Sequence, residues 1–222
     1  MNINPQDPKA EARDRFVLSK GHCSPALYST LAHRGYFNEE DLTKFRKIDS
    51  NLQGHPDMNK VPGVDMTSGS LGQGLSVANG MALSSKMNSM GYRVYCLLGD
   101  GEIEEGQVWE AAMTSSKYKL DNLCVIVDNN NLQIDGEIQK VKGLNKIEEK
   151  FESFGFNVIT VDGNNIEQLI DAFERAKMTK GMPTAIIAKT VKGKGVSYME
   201  NMASWHGKAP NEDQFNLAVQ EL

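Results

Sequence analysis

Residues 93–131 read RVYCLLGDGEIEEGQVWEAAMTSSKYKLDNLCVIVDNNN, and this stretch decides the fold. It holds two short apolar, β-rich runs, 93–98 and 123–128. The first is stopped by Gly99 and the second by Asn129, Asn130 and Asn131. Between them Val108, Ala111, Ala112 and Ser115 recur at helical spacing, and 107–117 contains neither glycine nor proline. Near-continuous apolar strands separated by a helix are what a parallel sheet covered on both faces requires.

The same alternation continues outward. Residues 157–162 (NVITVD) form a third strand candidate that runs into Gly163. Asn164 or Asn165 can then cap a helix carrying Ile166, Leu169, Ile170 and Phe173. Residues 184–189 (TAIIAK) make a fourth strand. The predicted class is α/β, a doubly wound parallel sheet with helices on both faces. Upstream, the first ninety residues read as loops interleaved with helices: 26–34 and 39–47, split by Gly35, and a longer helix over 72–90 entered through a glycine-rich turn. Residues 193–222 read as a loop-rich tail with a short terminal helix from Asp213.

Composition narrows the class of function. In 222 residues, 24 lysines and arginines stand against 29 aspartates and glutamates, a formal net charge of -5, which argues against nonspecific nucleic-acid binding. No apolar run approaches the roughly 18 residues of a membrane span, and the start, 1–13, is polar and proline-bearing, unlike a signal peptide. A soluble, cytoplasmic protein is expected. The three cysteines share no CxxC spacing, and Cys96 and Cys124 fall inside apolar strand runs, as buried thiols do.

Open parallel sheets bind ligands beyond the carboxyl ends of their strands, so the residues that follow strands carry the chemistry. Gly99-Asp100-Gly101 follows one strand and Asn129-Asn130-Asn131-Leu132 the next. If those strands are neighbours, the Asp100 carboxylate and the Asn130 amide oxygen converge as hard donors, which suit magnesium shared with a diphosphate. The glycines flanking Asp100 permit close approach of a phosphate to the backbone. Taken singly, each motif is equally a plain turn or strand cap. GxxxxGK[ST] is absent, and Gly99, Gly101 and Gly106 do not fit GxGxxG. Of the four histidines, His22, His55 and His206 adjoin glycine in loop contexts, whereas His33 falls in a helix. A zinc site of those three histidines with Cys23 fits no compact ligand spacing. Lys192 and Lys194, between glycines, read either as phosphate contacts or as a solvated basic loop. Glu102 and Glu104 read as acidic residues favoured by the helix dipole at the start of the following helix.

The runs GDGEIEEGQVWEA (99–111) and DNNNLQIDG (128–136) resemble the thiamine-diphosphate signature, and within that superfamily they resemble transketolase. DRFVLSKGHCSPALY, LQGHPD, TSGSLGQGLSVANGMA, AKTVKGKG and SWHGKAP follow the family in order, from Asp14 to Pro210. The resemblance implies that 1–222 is a single diphosphate-binding domain and that thiamine diphosphate and Mg2+, or Ca2+, are its cofactors. Asp100, Asn130 and the carbonyl of Leu132 would ligate the metal, and Gly101 would touch the diphosphate. His22 and His55 would lie near the diphosphate and thiazolium ring. Gly69, Ser70 and Leu71 match the loop beside the aminopyrimidine, with Ser70 where many relatives have proline. Glu105 matches a glutamate at the subunit interface, thought to link two cofactor sites. Lys192 and His206 match positions beside diphosphate and substrate. The catalytic set implied is His22, His55, His206 and Glu105. Histidine suits the proton steps that ketol transfer demands near neutral pH.

The resemblance also implies what lies elsewhere. A transketolase needs a pyrimidine-binding domain with an activating glutamate, so a partner is expected: a C-terminal transketolase subunit, in a homodimer or heterotetramer, acting on sugar phosphates of the pentose phosphate pathway. Family members begin with a helical segment of about fifty residues, the size of a small structural unit. Residues 1–12 resemble the connector after it, so an abbreviated start is expected. The alternatives are another thiamine-diphosphate enzyme half (deoxyxylulose-phosphate synthase or a 2-oxo acid dehydrogenase subunit), a cofactor-binding module without activity of its own, or a nucleotide-binding α/β domain.

Overall fold

The computed structural model describes residues 1–222. In chain order its strands and α-helices are β1 (Arg15–Leu18), α1 (Ser24–His33), α2 (Gly74–Met87), β2 (Val94–Gly99), α3 (Gly106–Lys117), β3 (Leu123–Asn129), β4 (Leu132–Gln133), β5 (Gly136–Glu137), α4 (Ile138–Val141), α5 (Ile147–Ser153), β6 (Asn157–Asp162), α6 (Ile166–Met178), β7 (Thr184–Lys189) and α7 (Glu212–Glu221). Five strands form one all-parallel sheet in the order β1-β2-β3-β7-β6, and β4 and β5 make a small antiparallel ribbon.

Alternation along each strand feeds two cores. Val94, Cys96, Leu98, Val125, Val127 and Ile187 face one side and pack against α2, α3 and α5. Tyr95, Cys124, Ile126 and Ile186 face the other and pack against α6, while Leu18 joins α1 in a third cluster. Both faces are therefore covered, which explains the unbroken apolar runs of β2, β3 and β7. Burial holds the Cys96 thiol well above its ordinary pKa and pushes Cys124 up to about 12, so both serve as neutral packing groups. No helix is long and apolar enough to cross a membrane.

Two elements differ from the sequence reading. Residues 39–47 form only a 3-10 turn over Glu39–Lys44, because Arg46 takes a left-handed backbone (φ 59°) and its N–H bonds back to the Leu52 carbonyl at 2.8 Å. The larger difference is β1, an edge strand in a region expected to be helical and looped. Four residues carry too little pattern to announce it, and polar groups distant in sequence hold it. Asp65 pairs with the Arg13 guanidinium and accepts the Phe16 N–H at 2.8 Å. Asp14 accepts the Arg93 N–H at 2.8 Å, fixing the register in which Arg15 faces Val94.

Both Arg13 and Asp65 are buried. Asp65→Ala would leave an unpaired guanidinium in the interior and should cost about 3–5 kcal/mol in urea unfolding. Asp65→Asn, whose amide oxygen can still accept from Phe16, should cost less.

Candidate cofactor site

All five parallel strands end on the same edge of the sheet, and the segments leaving β1, β2, β3 and β7 close around a crevice of about 730 Å³. Lys20 and His22 follow β1, Asp100 and Gly101 follow β2, Asn130 and Leu132 follow β3, and Thr190 and Lys192 follow β7. Loops outside the sheet add His55, Gly69, Leu71 and His206.

Asp100 lies at the base and is 1% exposed. Its direct donors are all neutral amides: Gly101 N–H at 2.9 Å, Asn131 N–H at 2.5 Å and the Asn129 side chain at 3.2 Å. Asn131 reaches it from a left-handed conformation, φ 63°. Burial raises the Asp100 pKa and these amides only partly offset the rise. No side-chain cation hydrogen-bonds this carboxylate directly. Asn130 and Leu132 share the crevice, with the Leu132 N–H bonded to the Asn130 amide oxygen at 3.0 Å. One carboxylate with an amide and a peptide carbonyl is an all-oxygen donor set of the kind magnesium takes together with phosphate. No three histidine, cysteine, aspartate or glutamate side chains are grouped as a metal site in this structure, and His22, His55, His206 and Cys23 form no such cluster.

Beside this anionic base stands an ion pair that sequence reasoning missed. The Lys20 ammonium bonds Asp128, and the Thr190 hydroxyl donates to the same carboxylate. Burial opposes both charges, but each stabilises the other: Lys20 is raised above its ordinary pKa and Asp128 lowered below its own. The only sequence signal for Lys20 was its place before Gly21-His22 at a strand end. Lys192 and Lys194 also line the crevice, and Lys194 pairs with Glu200 at 3.3 Å.

The His22 and His206 rings stack with centroids 5.2 Å apart. Desolvation in the crevice, then the neighbouring His206, Lys20 and Lys192, holds His22 down at about 4. His206 is lowered by desolvation, then by Lys192 and Lys20. Both shifts favour the uncharged imidazole. The His206 Nδ1 is buried without a hydrogen-bond partner, a polar atom free for a ligand. Gly69 lies against the His55 ring at φ 149°, where an added Cβ would come within 3.1 Å of the imidazole. His33 is remote from the crevice, 84% exposed and 3.7 Å from Glu39.

Of the residues singled out from sequence, His22, His55, Gly69, Leu71, Asp100, Gly101, Asn130, Leu132, Lys192 and His206 line this one crevice, as do Cys23, Glu102 and Lys194. Ser70 and Glu105 are exposed and lie outside its lining; Glu105 is the N-cap of α3. Glu102, read from sequence as an acidic residue favoured by the helix dipole, has specific partners instead. It is 3% exposed and accepts three hydrogen bonds within the protein.

The family profile described as "Transketolase, thiamine diphosphate binding domain" matches residues 1–222. The chain belongs to the transketolase family. It is 44% identical to one of the named subunits of the apulose-4-phosphate transketolase of Phocaeicola vulgatus, over all of this chain and 79% of that protein. It is 44% identical to the 6-deoxy-6-sulfo-D-fructose transketolase subunit SqwG of Clostridium sp., over 81% of that protein. The Campylobacter jejuni transketolase structure superimposes over the whole chain with a TM-score of 0.93 at 35% identity, and the chain covers 36% of that longer polypeptide. The match to the Campylobacter jejuni transketolase spans the parallel sheet and its helices, the scaffold on which the crevice sits.

A histidine whose pKa falls on folding stabilises the protein fully above its unfolded value and loses that contribution as pH drops. The His22 ring should therefore titrate well below 6.5 by NMR, toward 4, and its contribution should disappear between pH 6.5 and 4. His22→Asn should flatten the acid limb of the stability curve in that window.

Proposed function

We propose that residues 1–222 act as a single diphosphate-binding domain of a transketolase, moving a two-carbon ketol unit between sugar phosphates with a second chain that carries the pyrimidine domain. The observation that carries this reading is the crevice, where a buried carboxylate whose direct donors are all amides sits among three lysines and three histidines. Asp100, Asn130 and the Leu132 carbonyl would hold Mg2+, with Lys20, Lys192 and the Gly101 backbone facing the diphosphate. Bound thiamine diphosphate supplies the nucleophilic carbon that carries the ketol fragment. The chain's own part is to orient that cofactor and to move protons at sugar hydroxyls. His22 and His206 line the crevice and would relay these protons, with an anionic ligand raising their depressed proton affinity.

The partner is inferred from two findings. The relatives that match this chain over most of their length are named as subunits. Leu71 and Ile134, at the crevice rim, are exposed, as are Val77 and Met113 on α2 and α3, and such surface suits association with this second chain and with another copy of this one. The apulose phosphate and sulfofructose named for the two relatives make unusual ketoses candidate donors alongside pentose phosphates. Glu105, exposed at the start of α3, is free to meet a neighbouring chain. Three unpaired cysteines fit a reducing compartment, and we place the enzyme in the cytoplasm.

Co-expressed with its partner subunit, the chain should transfer a ketol group from a ketose phosphate to an aldose phosphate, dependent on thiamine diphosphate and Mg2+. Decarboxylation of pyruvate without ketol transfer would overturn this in favour of another thiamine-diphosphate activity. Strong cofactor binding with no turnover in the complete complex would favour a module without catalysis. Asp100→Asn, isosteric and still able to accept from Asn131, should lower metal-dependent cofactor affinity by at least about a hundredfold while the domain stays folded. Unchanged affinity by calorimetry would remove Asp100 from the metal site.

A further inference from the structure

Glu102 sits two residues beyond Asp100 on a 3-10 turn, and no step of the chemistry above uses it. Its Oε1 accepts the Gly72 N–H at 2.9 Å and the Ser19 hydroxyl, and its Oε2 accepts the Gly99 N–H at 3.0 Å. Ser19 Oγ in turn accepts the Gly74 N–H at 3.1 Å. One carboxylate thus ties three segments that are far apart in sequence. Ser19 immediately precedes Lys20 and lies three residues before His22; Gly72 follows Gly69 and Leu71; Gly99 immediately precedes Asp100.

The junction has no slack. Gly72 adopts φ 83°, and a Cβ there would lie 2.9 Å from Glu105 Cβ; a Cβ on Gly74 would collide with the Ser19 side chain. The three donors converge on two oxygens, a demand that only a carboxylate meets in full. An amide in its place would turn an NH2 group toward a backbone N–H, leaving one donor buried and unpaired.

We propose that Glu102 is a positioning residue, a brace that sets the spacing of the three loops carrying Lys20 and His22, Gly69 and Leu71, and Asp100. This rests on the crevice being the thiamine diphosphate site, since the loops it joins are those that would contact the diphosphate end, the ring end and the metal. Glu102 acts through the placement of other groups, in the manner of outer-sphere residues around a metal site.

The test compares wild type, Glu102→Gln and Ser19→Ala, each as the full chain with its partner subunit, with folding checked by circular dichroism. Calorimetric Kd for thiamine diphosphate at saturating Mg2+ should weaken by about ten- to hundredfold in Glu102→Gln and by less in Ser19→Ala. KM for the cofactor should rise by a similar factor, while kcat at saturating cofactor falls far less. In the cofactor-free protein the Gly72 and Gly99 amides should exchange hydrogen faster in Glu102→Gln than in wild type. A purely structural role would lower thermal stability and leave the Kd of the folded protein unchanged; that result overturns the inference. If Glu102→Gln does not fold, Ser19→Ala decides, and an unchanged Kd there overturns it equally. A wild-type protein that binds no thiamine diphosphate would overturn the functional reading itself, a result distinguishable from tight wild-type binding that the variants share.

Discussion

Every strand of the main sheet runs in the same direction, and the rest of the molecule depends on that. Parallel pairing from β1 through β6 puts all five carboxyl ends on one edge, so the segments leaving the strands must turn in the same region of space. The register is tight: Gly99 lies opposite Asp128 and Asn129 opposite Lys189. Asp100, Asn130 and Thr190 therefore emerge side by side although they are spread over ninety residues of chain. Because β6 follows β3 in sequence but lies at the far edge, β7 returns to pair with both, and Asn164 beyond β6 accepts the Val191 N–H at 2.8 Å. That bond joins the loop after β6 to the segment that presents Lys192.

Within the crevice, charge is distributed unevenly for a physical reason. Asp128 has a lysine and a hydroxyl in contact and remains ionised despite burial. Asp100, one residue beyond the neighbouring strand, has only amides, so its charge is stabilised far less. A cation entering next to Asp100 gains more than one entering next to Asp128, whose charge is already matched. Desolvation in the crevice, and after it the nearby lysines, depress His22 and His206 and favour their uncharged imidazoles. Phosphate binding would relieve part of this repulsion and raise both values, linking ligand charge to the proton affinity of the histidines.

Much of this is legible in one dimension. The strands at 157–162 and 184–189 coincide with β6 and β7, and Asn165 caps α6 by accepting the Gln168 N–H at 3.0 Å. These elements are long, periodic and bounded by glycine or asparagine, so local sequence is sufficient to specify them. The edge strand β1 is not legible, because its four residues depend on Asp65, fifty-two residues from Arg13, and on the pairing with β2. Lys20 and the inward role of Glu102 escape a sequence reading for the same reason. Asp128 lies 108 residues from Lys20, and the partners of Glu102 lie 83 and 30 residues away or across a turn, where nothing in the local pattern marks them.

The sequence by itself determined the α/β class, the strand ends at which chemistry is presented and the oxygen-donor character of Asp100 and Asn130. Periodicity, glycine placement and residue type are local properties. The tertiary structure decided which carboxylate pairs with Lys20 and which accepts only from amides, which histidines stack, and that Glu102 faces inward as a brace. Protonation and hydrogen-bond pairing depend on burial and on neighbours brought from distant parts of the chain, and those are fixed only when the sheet closes and the loops meet at its edge.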